Sequence, residues 1–101
     1  MTPTFQKTLL VIVAEAVLEN PLVRDARERG AQAWTVSEVH GAGCEGVREG
    51  AWEADRTVEI KVICDAEVAD AIAWHVMDTY AVHYSVSMYF SPVRVLRPDR
   101  F

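Results

Sequence analysis

Gln6-Lys7-Thr8-Leu9-Leu10-Val11-Ile12-Val13-Ala14 is the stretch that sets the architecture of this chain. It is aliphatic, rich in β-branched residues and of strand length, so it reads as a β-strand. Strand alternation puts Leu9, Val11 and Val13 on one face and Leu10, Ile12 and Ala14 on the other. Both faces are apolar, and a strand of that kind needs cover on both sides. One cover is supplied by the chain's own helices; a homo-oligomer is the simplest source of the other. With 101 residues, half of them apolar, the chain is expected to fold as one domain over 1–101.

Downstream, Glu19-Asn20-Pro21 suits a helix N-terminus, with a start one turn earlier also open. Leu18, Leu22 and Ala26, spaced four apart, form a stripe that can be buried. Arg24/Glu28 and Asp25/Arg29 are i,i+4 pairs expected on the solvated side, and Gly30 is a candidate C-cap. Trp34 to Val39 reads as a second strand with Thr35 and Ser37 on one face. Thr57 to Cys64 alternates as a third strand. Asp65 offers an N-cap to a second helix whose buried stripe is Ala69, Ile72, Ala73, Val76 and Tyr80. Tyr84 to Phe90 alternates as a fourth strand, with Val86, Met88 and Phe90 toward the helices. Val93 and Val95 either extend that strand or begin another.

The element order is β-α-β-β-α-β. Two short strand–helix–strand units with right-handed crossovers predict an α+β, ferredoxin-like fold: a four-stranded antiparallel sheet with both helices on one face. The other face is then bare in a monomer, which is the side that the apolar first strand requires a partner to cover.

Between the second and third strands lies His40-Gly41-Ala42-Gly43-Cys44-Glu45-Gly46-Val47-Arg48-Glu49-Gly50, holding four of the five glycines. A simple hairpin needs two to five connecting residues, so this connection has a further purpose. Glycine-spaced backbone can aim several N–H groups at an anion, and Arg48 adds a guanidinium fork for carboxylate or phosphate. The loop is an anion or nucleotide contact, a mobile partner-binding arm, or both.

The net charge of -5 and the absence of a Lys/Arg cluster argue against nucleic acid as a partner. No signal-type leader and no apolar run of membrane length is present, so a soluble cytoplasmic protein is expected. Cys44 and Cys64 do not make a disulfide framework and are expected as reduced thiols. His40, Cys44, His75 and His83 fit no zinc spacing, and no metal is expected. His75 and His83 are expected at the surface or on a pocket wall. Trp74 falls with Glu67, Asp70 and Asp78 on the solvated face of the second helix. It and Trp52, inside the polar loop, are candidate partner contacts.

Leu10 to Glu15, Gly30, Ala33 to Val39, Gly41-Ala42-Gly43 and Val47-Arg48 resemble the PII signalling superfamily. The core of the likeness is Thr35-Val36 followed after four residues by Gly41-Ala42-Gly43, with Ala33 where the family carries a glycine. The tail Val93-Arg94-Val95-Leu96-Arg97-Pro98 is similar to that of PII-like proteins linked to bicarbonate transporters and carboxysomes. The resemblance spans nearly the whole chain and implies a trimer whose bare sheet faces line the axis. It implies adenine nucleotide in clefts between subunits, and a signalling T-loop, here flexible and covering about 41–55. By motif, Thr35, Ser37, Gly41, Gly43 and Arg48 are the implied nucleotide contacts; Ala42, Tyr84 and Ser85 are candidates beside them, and Arg94 and Arg97 are tail arginines placed to close over the cleft. Arg48 and Gly46 are the candidates for bicarbonate, and Trp52 and Trp74 for a transporter or carboxysome-related partner.

Two departures narrow this expectation. Ala81-Val82-His83-Tyr84-Ser85-Val86 lacks the Gly-x-Gly-Lys that serves a triphosphate in nitrogen-regulatory members, and Glu45 stands where the related branch has an arginine. With fewer cationic partners each added phosphate is harder to desolvate, so AMP, ADP or a cyclic nucleotide is expected over ATP. The short loop also lacks a tyrosine, so no uridylylation is implied. No cofactor is required on this reading, and no enzyme activity is expected. The alternatives are a metal- or small-metabolite-binding trimer of the same shape and, further off, an acylphosphatase-like enzyme. The latter would need an arginine loop where Glu15-Ala16-Val17-Leu18-Glu19-Asn20-Pro21 stands.

Overall fold

β1 (Phe5–Glu15) is an inner strand of a four-stranded antiparallel sheet that it shares with β2 (Trp34–Val39), β5 (Thr57–Cys64) and β6 (Val86–Val95), in the order β2-β5-β1-β6. This is a computed structural model, and it describes residues 2–43, 46–48 and 56–101, with 41–43 and 46–48 described by their backbone alone. Helix α1 (Glu19–Glu28) follows β1 through a 3-10 turn at Ala16–Leu18, and α2 (Ala66–Thr79) joins β5 to β6. The result is the ferredoxin-like βαββαβ arrangement.

The register runs from Thr8↔Cys64 to Glu15↔Thr57 between β1 and β5, and from Phe5↔Val95 to Ala14↔Val86 between β1 and β6. β2 pairs with β5 from Trp34↔Val62 to Val39↔Thr57. The loop base, Glu15 and the start of β6 therefore share one end of the sheet. Leu10, Ile12 and Ala14 pack with Ile60 and Val62 beneath Leu22 and Ala26 of α1 and Ala69, Ile72 and Val76 of α2. Each of these is essentially inaccessible, as the two helical stripes require. Leu9, Val13 and Ile63 on the opposite face are only half-buried, and Tyr89 beside them is exposed.

Gly30 ends α1 with φ +115°. Its N–H reaches the Arg27 carbonyl at 3.1 Å and the Ala31 N–H reaches the Ala26 carbonyl at 3.0 Å. That pair of bonds is the Schellman closure, which needs a residue without a Cβ at this point.

Five sequence expectations are corrected. Asn20 does not cap α1: the 3-10 turn feeds directly into the helix, Leu18 occupies the cap position and Pro21 sits in the first turn. Asp65 occupies the N-cap of α2 but gives it no side-chain bond, because its carboxylate takes the Lys7 ammonium at 2.7 Å. β6 begins at Val86, since the Tyr84 N–H closes a turn onto the Tyr80 carbonyl and the Ser85 N–H donates to Glu15 Oε2 at 2.8 Å. It then runs on through Pro92, which is tolerated because β6 is an edge strand. The glycine segment carries its own ladder, β3 (Gly41–Gly43) with β4 (Gly46–Arg48), in the register Gly41↔Arg48 and Gly43↔Gly46. Strands of three residues, three of the six being glycine, are too short to show a side-chain alternation, so the sequence pattern does not announce them.

The fifth correction concerns charge. Asp25 is not on a solvated face: it is 5% exposed, between α1 and α2. Its carboxylate accepts from Tyr80 Oη, from His75 Nε2 at 2.8 Å and from Arg24 Nε at 3.0 Å. His75, with its side chain 24% exposed, sits at the partly open end of this network and is bonded into it. Arg29 completes it, donating to His75 Nδ1 at 2.8 Å and to the Asp25 carbonyl at 3.0 Å. Burial pulls the Asp25 pKa upward, but the bonds from Tyr80, His75 and Arg24 outweigh that and hold it at about 2.

Candidate functional site

Thr35 and Ser37 lie exposed on β2, an edge of the sheet, on the face opposite the helices. The register sets Lys61 beside Thr35 and Glu59 beside Ser37, with Lys61 Nζ 3.3 Å from Glu59 Oε1. The two hydroxyls and the adjoining ion pair form a polar strip along the β2 side of this face. Lys61 is a cation next to Thr35 that sequence reasoning missed. Its strand parity is visible in the sequence, but its neighbour depends on register.

The loop base is held by the ends of several strands. Glu38 Oε1 takes Arg56 Nε at 2.9 Å, and the Arg56 carbonyl accepts from the Ala16 N–H at 2.8 Å. Glu15 binds the Ser85 N–H, tying the start of β6 to the end of β1. Thr57, also at this end, is 5% exposed, and its Oγ1 has no partner among the described residues. A buried hydroxyl left unsatisfied beside a loop is a point where a further contact is stabilising. Gly41 and Gly43 use part of their backbone capacity in the ladder to Arg48 and Gly46. Cys44, Glu45 and Trp52 lie outside the described residues, as do the side chains of Ala42 and Arg48.

Within one chain the expected contacts do not converge. Thr35 and Ser37 are on one sheet edge, whereas Tyr84 and Ser85 lead into the strand at the other edge. Three strand spacings separate those edges, about 14 Å at the usual interval. Arg94 pairs with Gln6, at the end of the sheet remote from the loop. Glu15 stands nine positions beyond Gln6 along β1, about 30 Å at the strand rise. Arg97 lies beyond Arg94 and is exposed, at the entry to a 3-10 turn over Pro98–Arg100. The loop base, Ser37, Tyr84 and Ser85 thus lie toward one end of the sheet and Arg94 and Arg97 toward the other, with Thr35 midway along the β2 edge.

Other candidates are placed singly. Cys64 is a free, buried thiol, and burial with the nearby Asp65 charge pushes its pKa up to about 11. His83 is exposed in the α2–β6 turn, and Trp74 is 71% exposed. Among the described residues no group of three or more His, Cys, Asp or Glu side chains is placed to hold a metal ion. Among them, too, no helix is long and apolar enough to cross a membrane.

A protein of Thermus thermophilus described as a PII-like signaling protein has the same fold, with 31% identity and a TM-score of 0.85 over 100% of this chain and 99% of that one. CPII from Thiomonas intermedia, in a structure bound to ADP and bicarbonate, superposes with a TM-score of 0.89 at 18% identity, covering 100% of this chain and 99% of its own. A second CPII structure, bound to ADP, AMP and bicarbonate, gives 0.89 and 18%, covering 100% and 98%. No curated protein matches the chain. The family model for nitrogen regulatory protein P-II matches residues 7–100. With the motif residues placed at the loop base and that model spanning nearly all of the sequence, the chain belongs to the P-II family.

Proposed function

We propose that this protein is a trimeric PII-like sensor that binds an adenine nucleotide in clefts between subunits. The observation that carries the reading is the separation of its half-sites. Arg94 and Arg97 lie toward one end of the sheet, the loop base with Ser37, Tyr84 and Ser85 lies toward the other, and Thr35 stands between them on the β2 edge, across the sheet from β6. Juxtaposing one chain's end with its neighbour's would complete a pocket that a single chain lacks. The half-buried Leu9, Val13 and Ile63 supply apolar surface for that assembly. The Thiomonas CPII structures, which hold ADP, AMP and bicarbonate, support the ligand class.

In this reading Thr35 and Ser37 border the nucleotide, and Gly41, Ala42 and Gly43 let backbone approach it. Arg48 pairs with phosphate, while Arg94 and Arg97 reach in from the neighbouring subunit. AMP, ADP or a cyclic nucleotide is favoured over ATP, because 81–86 offer neither glycine nor lysine to a third phosphate. Bicarbonate is a second ligand, held by Arg48 and the Gly46 N–H. Ligand contacts bias the loop of about 41–55 toward one arrangement, which a partner reads. The partner class is a bicarbonate transporter or a carboxysome-related protein, giving control of inorganic-carbon uptake or fixation in the cytoplasm.

Calorimetric titration of AMP, ADP, ATP and cyclic AMP, with and without bicarbonate, tests this on the wild type and Arg48→Ala. Binding of AMP or ADP tighter than ATP, weakened about tenfold in the variant, is expected for the loss of one charge-assisted pair. Absence of adenylate binding at high protein concentration would overturn the proposal. Unchanged binding in Arg48→Ala would remove that residue from the site.

A further inference from the structure

A groove of about 530 Å³ runs between α2 and β6, remote from the loop base. Its floor is Met88 and Phe90 from the helix-facing side of β6, and its wall is Trp74 and Met77 from α2. Trp74 is 71% exposed, Met77 51% and Phe90 50%. Three large apolar side chains sharing one concave surface form a patch, which isolated exposed residues do not. Asp70 and Asp78, both exposed, also line it, and no Lys or Arg among the described residues does. The two acids stand eight positions apart on α2 with Trp74 midway, about 12 Å along the axis at the helical rise.

We propose that this groove docks an amphipathic basic helix of a partner protein. A helix with Lys or Arg at positions seven or eight apart spans the same distance, so each cation meets one aspartate while apolar residues between them cover Trp74 and Phe90. An added β-strand is a poorer fit. It would pair in the sheet plane along the edge of β6 and leave the groove above its helix-facing side open. A second copy docked groove to groove is disfavoured, since two-fold pairing sets Asp70 and Asp78 against their own equivalents.

The test uses the full chain and a fluorescein-labelled helical peptide of Ala and Leu, with two lysines seven positions apart flanking the leucines. A matched peptide carries glutamate in place of lysine. Anisotropy is expected to show the lysine peptide binding the wild type and the glutamate peptide failing to bind. Trp74→Ala should weaken the lysine peptide at least tenfold. The double variant Asp70→Lys/Asp78→Lys should lose it and accept the glutamate peptide instead. Both substitutions are at exposed positions, so folding is preserved. The proposal is overturned if the lysine peptide does not bind, or if both peptides bind alike. It is also overturned if neither variant alters binding, or if Trp74→Ala changes the assembly mass in light scattering, which would make the groove an interface between copies. None of these readouts depends on nucleotide, so they stand apart from the titration of the cleft.

Discussion

His75 Nε2 lies 2.8 Å from Asp25 Oδ2, linking α2 to α1 across the helix layer. The other ring nitrogen faces Arg29 Nη2 at 2.8 Å. A guanidinium can only donate and a carboxylate can only accept, so this pair of contacts suits a ring that accepts at Nδ1 and donates from Nε2. Both ring nitrogens of His75 are thus engaged, one by each helix-spanning partner. Removing the carboxylate leaves the Tyr80 hydroxyl and the His75 N–H without their acceptor in a water-poor seam. Asp25→Ala is expected to lower stability by about 2–4 kcal/mol, the range for stripping one partner from a buried charged network. Urea denaturation at neutral pH measures it, and a loss below about 0.5 kcal/mol would show that the network is not holding the helices together.

The same carboxylate predicts an acid limb. Its folded pKa of about 2 lies below the ordinary 3.8, so its contribution is fully present above the unfolded value and is lost as pH falls from about 4 to about 2. That displacement corresponds to about 2 kcal/mol. Denaturation curves between pH 6 and pH 2 should show wild type losing this amount relative to Asp25→Ala, which lacks the group. Parallel pH profiles for the two proteins would refute the assignment.

Gly30 lies at φ +115°, and a Cβ there would stand 3.3 Å from Val68 Cγ2. Both the backbone conformation and the close approach of α2 disfavour a side chain. Gly30→Ala should cost about 1–2 kcal/mol, read as a lowered denaturation midpoint with unchanged slope. A neutral result would mean that α1 can end without the left-handed closure.

Cys64 is 2% exposed and its thiol is pushed up to about 11, so little thiolate forms near neutrality. Iodoacetamide at pH 8 should leave it unmodified in the native protein and alkylate it fully in urea, as read by peptide mass spectrometry. Rapid native labelling would require the end of β5 to open.

What is legible in the sequence depends on which interactions are periodic. The β1 pattern, the Leu18–Leu22–Ala26 stripe and the α2 stripe are period signals, and the strands and helices they imply are present. Asp25 escapes such a reading because an i,i+4 charge pair looks alike on any helix. Only the approach of α2, with His75 and Tyr80, reveals that this aspartate faces inward. Likewise the Glu15–Ser85 bond and Lys61 beside Thr35 depend on register between distant strands, which one sequence does not encode locally. The two three-residue strands of the glycine segment are too short for a period to show. The half-sites are legible as residues, but their separation to opposite ends of the sheet needs the topology.

The bare sheet face supplies the last prediction. Val13 is half-buried there, with Glu59 and Ser87 as its register neighbours, while Leu10, Ile12 and Ala14 on the opposite face already fill the core. Val13→Asp leaves the helix-facing packing intact and, in the proposed trimer, puts a carboxylate where a second copy would desolvate it beside Glu59, a group of like charge. The variant should remain folded by circular dichroism, fall from the mass of three chains to that of one in light scattering, and lose adenylate binding at the same time. Loss of assembly with nucleotide binding retained would place the whole site in one chain, against the separation of Thr35 and Arg94 across the sheet. An unchanged trimer would mean that copies associate through another face.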